Sequence, residues 1–125
     1  MVEPGLRQNG GPVIARVWHG RVPAAKAEAY YTYLQRTGLA DYAATPGNRG
    51  VWVLRRTEGD VVHYSLMTLW DSWRSIERFA GREHDRARYY PEDADYLLEC
   101  EPLVTHYEVL HISAPAADGT TQREG

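Results

Sequence analysis

Residues 61–70, VVHYSLMTLW, constrain the fold more than any other stretch of the chain. The run is rich in β-branched and aromatic side chains, which suit a strand. It is apolar at both parities: Val61, Met67 and Leu69 point to one side, and Val62, Tyr64, Leu66 and Trp70 to the other. Such a strand has to be covered on both faces. It also arrives with a neighbour. Residues 50–57 read as a second strand, and the link Glu58-Gly59-Asp60 places a glycine in a short polar connection, the mark of a hairpin.

The rest of the chain falls into order around this hairpin. Residues 13–19 (VIARVWH) predict a first strand, with Ile14, Arg16 and Trp18 on one face and Val13, Ala15 and Val17 on the other. Gly20 and Arg21 turn the chain, and Pro23 suits the first position of a helix. Ala24, Ala27, Tyr31 and Leu34 recur at helical spacing over 23–37, and Gly38 fits its cap. A short turn over 39–44 and a TPGN loop lead into the hairpin. Asp71 or Ser72 caps a second helix, with Trp73, Ile76 and Phe79 or Ala80 as its apolar stripe. Gly81 interrupts it, residues 82–89 resume it and Pro91 ends it. Residues 104–112 (VTHYEVLHI) alternate as a last strand.

The order β-α-β-β-α-β predicts an α+β, ferredoxin-like subunit: a four-stranded antiparallel sheet with its helices on one face. The helices leave the second face bare, and its apolar residues predict a homodimer in which another subunit covers it. The domain is expected over 13–112, between a flexible arm at 1–12 and a disordered tail at 113–125.

A net charge of -3 argues against nucleic acid, whose phosphates ask for a basic surface. No apolar run approaches the roughly 20 residues of a membrane span. The first residues lack a signal pattern, so a cytoplasmic protein is expected. The single cysteine, Cys100, excludes an intrachain disulfide and a cysteine-built zinc site. Its acidic neighbours Glu99 and Glu101 disfavour a thiolate.

Nine Tyr and four Trp against one Phe favour surfaces with a dry end and a polar end. Trp18, Tyr64, Trp70, Trp73 and Phe79 are candidates to line a cavity for a flat ligand. Residues 69–102, with a helix start, a break and a stop, are expected to form one wall of it. His63 and His106 are candidate general bases, because imidazole titrates near neutral pH. Tyr89 and Tyr90 stand before the helix-ending Pro91, one as an anchor and the other offering its hydroxyl. Glu83, His84 and Asp85 are consecutive, so on a helix they point apart and cannot share a metal. His106 and Glu108 share a strand face, but two ligands do not define a metal site, and none is expected.

With its element order, the stretches TPGNRGVWVLRR, LMTLWDSWRSIERFAG, ARYYPED and EPLVTHYEV resemble the antibiotic biosynthesis monooxygenase family. The resemblance implies a ferredoxin-like subunit pairing into a dimeric α+β barrel, with a pocket between sheet and helices. It also implies cofactor-independent oxidation of a small aromatic or polyketide-type metabolite in secondary metabolism. On that reading His63, His84 and Tyr89 are the catalytic candidates. Trp18, Tyr64, Trp70, Phe79, Tyr90 and His106 are the substrate-binding ones. Two other readings stay open: a haem-binding or haem-using protein, and a non-catalytic dimer that binds a small apolar ligand. The haem-degrading branch uses an Asn on the first strand, a Trp on the second helix and a His ten residues later. Those positions fall here on Ala15 or Arg16, on Phe79 and on Tyr89, so its ligand set departs at each.

Overall fold

A computed structural model describes residues 13–113. The arm at 1–12, and the tail beyond residue 113, lie outside the described residues. Strand β1 (Val13–Pro23) leads through a 3-10 turn (Ala24–Lys26) into helices α1 (Ala27–Arg36) and α2 (Gly38–Ala44). The hairpin of β2 (Asn48–Glu58) and β3 (Val61–Trp70) follows, then α3 (Trp73–Ala80), the short α4 (Asp93–Tyr96) and β4 (Thr105–Val109). The strands form one four-stranded sheet in the order β2-β3-β1-β4, antiparallel at every pair. This is the ferredoxin-like arrangement.

Alternation along the central strands divides the molecule into two clusters. Ile14, Trp18 and Val22 of β1 and Val62, Tyr64, Leu66 and Trp70 of β3 pack under the helices with Ile76 and Phe79. Val13, Ala15 and Leu69 form a separate cluster on the other face, with Met67 and Val109 against it. Trp52, Leu54 and Tyr107 stand on that bare face and are exposed.

Four local expectations are corrected. First, β1 does not turn at Gly20, because its pairing with β3 runs unbroken from Ile14 opposite Trp70 to Pro23 opposite Val61. Gly20 serves space instead: a Cβ there would sit 2.4 Å from the ring of Trp18. Second, residues 39–44 are helical within α2. Third, the buried stripe of α1 is Ala27, Tyr30, Tyr33 and Leu34, while Tyr31 stays half-buried.

The fourth matters most for function. Residues 82–89 do not resume the helix. Gly81 leaves α3 at φ 91, and the backbone then finds partners far along the chain. Ala87 donates to the Pro102 carbonyl at 2.9 Å, and Val104 donates to the Asp85 carbonyl at 2.9 Å. A segment tied to residues 102–104 in this way has no use for helical bonds. The last strand is correspondingly shorter than expected.

The entry to α3 is fixed by a cap. Ser72 Oγ accepts from the Ser75 amide at 3.1 Å, and Asp71 accepts from the Ser75 hydroxyl at 2.6 Å. The Gly47 carbonyl accepts from the Asp71 amide at 3.0 Å. Gly47 has φ 95, and a Cβ there would overlap the Ser75 side chain, so this loop needs glycine twice over.

Candidate functional site

A cavity lies between the helix-covered face of the sheet and the irregular segment that follows α3. Arg16, Trp18 and Leu66 supply its floor from β1 and β3, and Tyr30, Leu34 and Tyr42 reach it from α1 and α2. Phe79 closes it from α3, while Arg88, Tyr89, Tyr90 and Asp93 form the remaining wall. Its volume is about 20 Å³, enough for roughly one water. Rings fill the space around it: Tyr42 lies 4.5 Å from Phe79 between centroids, and Trp18 meets Tyr89 edge-on at 6.3 Å.

The polar groups here are unevenly satisfied. Trp18 Nε1 donates to the Tyr89 hydroxyl at 3.2 Å, and that hydroxyl donates to the Glu101 carbonyl at 2.6 Å. Burial, the larger influence, pushes the Tyr89 phenol up to about 12. The Tyr90 hydroxyl donates to Asp41 at 2.5 Å, and burial raises that phenol too. Asp93 is 4% exposed. One of its oxygens accepts from the Tyr90 amide at 2.5 Å, and the other keeps only a long bond, 3.4 Å, from the Tyr30 hydroxyl. Burial raises its carboxyl above the ordinary aspartate range, against those two hydrogen bonds.

Two guanidinium groups flank Phe79. Arg88 lies 4.8 Å from the ring centroid and is paired with Asp41 at 3.0 Å. Arg16 approaches the same ring at 5.5 Å and is 2% exposed. Its Nη2 donates to the Arg86 carbonyl at 2.9 Å and, at the limit of bonding distance, to the His84 carbonyl at 3.5 Å. Its Nε is buried without a partner. Burial lowers its pKa, while Tyr42 and Asp85 act in the opposite direction.

Of the residues singled out in the sequence, Trp18, Phe79, Tyr89 and Tyr90 come together around this cavity. Trp70 packs behind it against Tyr42 and Phe79, with its Nε1 donating to Thr68. Tyr64 is held away by a 2.8 Å bond to the Ala27 carbonyl and edges an open groove with Tyr31 and Arg55.

The histidines do not converge on the cavity. His63 points to the bare face, by the parity of its strand. There it sits in a row in which Glu101 contacts His19 at 2.8 Å, His19 contacts His63 at 2.9 Å, and His63 contacts Glu58 at 2.8 Å. His84 and His106 cluster outside the cavity with the half-exposed Trp73, at ring separations of 4.7 and 4.9 Å from it. His106 approaches Asp85 at 3.3 Å. Burial lowers its pKa first, and Arg16 adds to the effect. Cys100 is exposed, and its thiol is raised by partial desolvation and by Asp93 rather than by its glutamate neighbours. Among the described residues, no group of three or more His, Cys, Asp or Glu could hold a metal ion. No described helix is long and apolar enough to cross a membrane.

Arg16, Tyr30, Tyr42, Arg88 and Asp93 were not evident as site residues from the sequence. The one available signal was Arg16, a charged residue on the strand face that Ile14 and Trp18 mark as inward.

No family model and no curated protein matches the sequence. Solved structures do match. A Bacillus cereus protein assigned to the antibiotic biosynthesis monooxygenases superposes with a TM-score of 0.56 at 15% identity, over 84% of this chain and 100% of its own. One from Nitrosomonas europaea with the same assignment gives 0.58 at 16% identity, over 83% and 96%. The heme-degrader MhuD of Mycobacterium tuberculosis, with two hemes bound in its active site, gives 0.55 at 20% identity, over 82% and 100%. At these identities the likeness is one of fold: the chain has the fold of the antibiotic biosynthesis monooxygenases.

Proposed function

We propose that this chain is a cofactor-independent monooxygenase of the antibiotic biosynthesis monooxygenase family, acting as a homodimer on a small electron-rich aromatic metabolite. One observation carries the reading. The carboxylate of Asp93, raised by burial, opens on a cavity walled by Trp18, Tyr42, Phe79 and Tyr89. A carboxylate that holds its proton more tightly than usual is a stronger base, and a dry aromatic site keeps the anion it creates out of water.

The reaction then balances without any group beyond dioxygen. Asp93 takes a proton from the activated carbon of an anthrone-type substrate. The resulting anion gives one electron to dioxygen, and the substrate radical and superoxide combine into a carbon–oxygen bond. Protonation yields the hydroperoxide, and loss of water leaves a quinone. Tyr89 and Tyr90 hold the wall of the site and Trp18 fixes the Tyr89 hydroxyl, so these residues position the substrate. His63 and His84 have no part in the cavity chemistry, because one lies across the sheet and the other beyond Arg16.

The test is oxygen uptake with 1,8-dihydroxyanthrone above the protein-free rate, with one dioxygen consumed per quinone formed. Asp93→Asn is expected to lose about 10²-fold or more. A variant as fast as wild type removes Asp93 as the base, and no uptake by wild type removes the reaction.

Haem fits these residues poorly. The side chain of Arg16 occupies the floor of the cavity, and the Tyr89 oxygen, the one at the position of the haem-degrading branch's ligand, is committed to Trp18 and Glu101. Titration of the protein with hemin is accordingly expected to leave the Soret band of free hemin unchanged. A shifted, saturating band would reinstate haem.

A further inference from the structure

Building on the pocket proposed above, we propose that its ligand is an anion, an aromatic carboxylate or phenolate whose oxygens bind the guanidinium of Arg16. Arg16 is buried with its charge and its donors incompletely met. Among the described residues it forms no ion pair, although it is 2% exposed. Two carbonyls take hydrogens from Nη2, and Nε–H is buried with nothing to accept it.

Each nearby acid is already engaged. Asp41 holds Arg88 at 3.0 Å and receives the Tyr90 hydroxyl. Asp85 lies against His106 at 3.3 Å, and Asp93 accepts from the Tyr90 amide and Tyr30. Burying a guanidinium with no carboxylate in contact is costly: Tyr42 and Asp85 favour its charge from nearby, yet burial outweighs them and lowers the pKa of Arg16. The offset Phe79 ring, 5.5 Å away, eases the charge but accepts nothing from Nε. A single water would satisfy Nε and leave the charge unmet.

An anion meets both needs, since a guanidinium presents a planar fork that matches a carboxylate. The rest of the ligand is set by its neighbours. Phe79 and Tyr42 line the cavity beside Arg16, and an aromatic lining favours a flat aromatic body. A ring enters only when the wall of Tyr89 and Tyr90 moves outward. That wall is the segment without helical bonds, so it can move without unwinding a helix.

The test compares 2-naphthoate with its neutral isostere 2-naphthamide at pH 7, titrated against tryptophan fluorescence. Wild type is expected to bind the acid at least tenfold more tightly than the amide. Arg16→Met should bring the two within twofold of each other while keeping affinity for the amide. Arg16→Lys, which retains charge but not the fork, should keep part of the preference and serves if the Met variant does not fold. Equal wild-type affinities, a preference that survives in Arg16→Met, or no saturable binding of 2-naphthoate would each overturn the proposal. Oxygen uptake with 1,8-dihydroxyanthrone scores the enzyme separately. Anion preference without uptake removes the monooxygenase and leaves this site, and uptake without anion preference does the reverse.

Discussion

The two faces of the sheet are made by alternate residues of the same strands, yet they solve opposite problems. On the covered face, Ile14, Arg16 and Trp18 lie under helices, and polar groups are buried with an incomplete set of partners. On the bare face, Val13, Ala15 and Leu69 pack together beside exposed Trp52 and Leu54, and the polar row of Glu101, His19, His63 and Glu58 is mutually satisfied. Unsatisfied polarity in an enclosed space points to a ligand, whereas satisfied polarity beside exposed apolar surface points to a protein partner. The contrast agrees with the two proposals made for this chain, a ligand site on one side of the sheet and a second copy of the chain on the other.

The sharpest way to break it is a pair of tryptophans. Trp70 on the covered face is fully buried, and Trp52 on the bare face is 45% exposed. Trp70→Ala is expected to cost about 3–5 kcal/mol in urea unfolding. Trp52→Ala should cost about 1 kcal/mol or less under conditions that keep the chain monomeric. Similar losses for the two would mean that the faces do not differ as described.

A smaller effect comes from Asp93. Its folded-state pKa is raised, so the folded protein binds its proton more tightly than the unfolded chain. The stabilisation is present in full below the ordinary aspartate pKa, about 3.9, and is lost as pH rises through the raised folded value. In Asp93→Asn this component disappears. Wild-type stability relative to that variant should therefore fall between about pH 4 and the raised value, in unfolding curves taken from pH 4 to 8. A difference independent of pH would mean that Asp93 is not perturbed.

The smallest expected effect on the fold comes from Leu54→Glu, on the bare face and 52% exposed. Monomer stability should change by no more than about 0.5 kcal/mol. The mass measured by light scattering should nevertheless fall from that of two chains to that of one. A wild-type chain that already runs as a monomer would remove the partner reading of this face.

How much of this was legible in the sequence follows from the range of the forces involved. Strand parity is local, so Val62, Tyr64, Leu66 and Trp70 could be assigned to one side without a structure. The Ser72 cap was legible for the same reason. The course of residues 82–89 was not, because their helix-like composition yields to bonds with residues 102–104, some 15–20 positions away. The site failed at the same point. Arg16 is buried because carbonyls of His84 and Arg86 come to it, at sequence separations of 68 and 70. Histidines drew attention by their chemistry, while parity already placed His63 opposite Tyr64 and the inward set.

The central claim, that ligands enter the covered face and not the bare one, can be read from the indole N–H signals of the four tryptophans in a ¹H–¹⁵N spectrum. Trp18 Nε1 bonds to Tyr89 at the cavity, Trp70 lies behind it, Trp73 stands by His84 and His106, and Trp52 is on the bare face. With 2-naphthoate added, the Trp18 signal is expected to move most and to saturate, Trp70 less, and Trp52 not at all. Saturating movement of Trp52 with Trp18 unchanged would contradict the account.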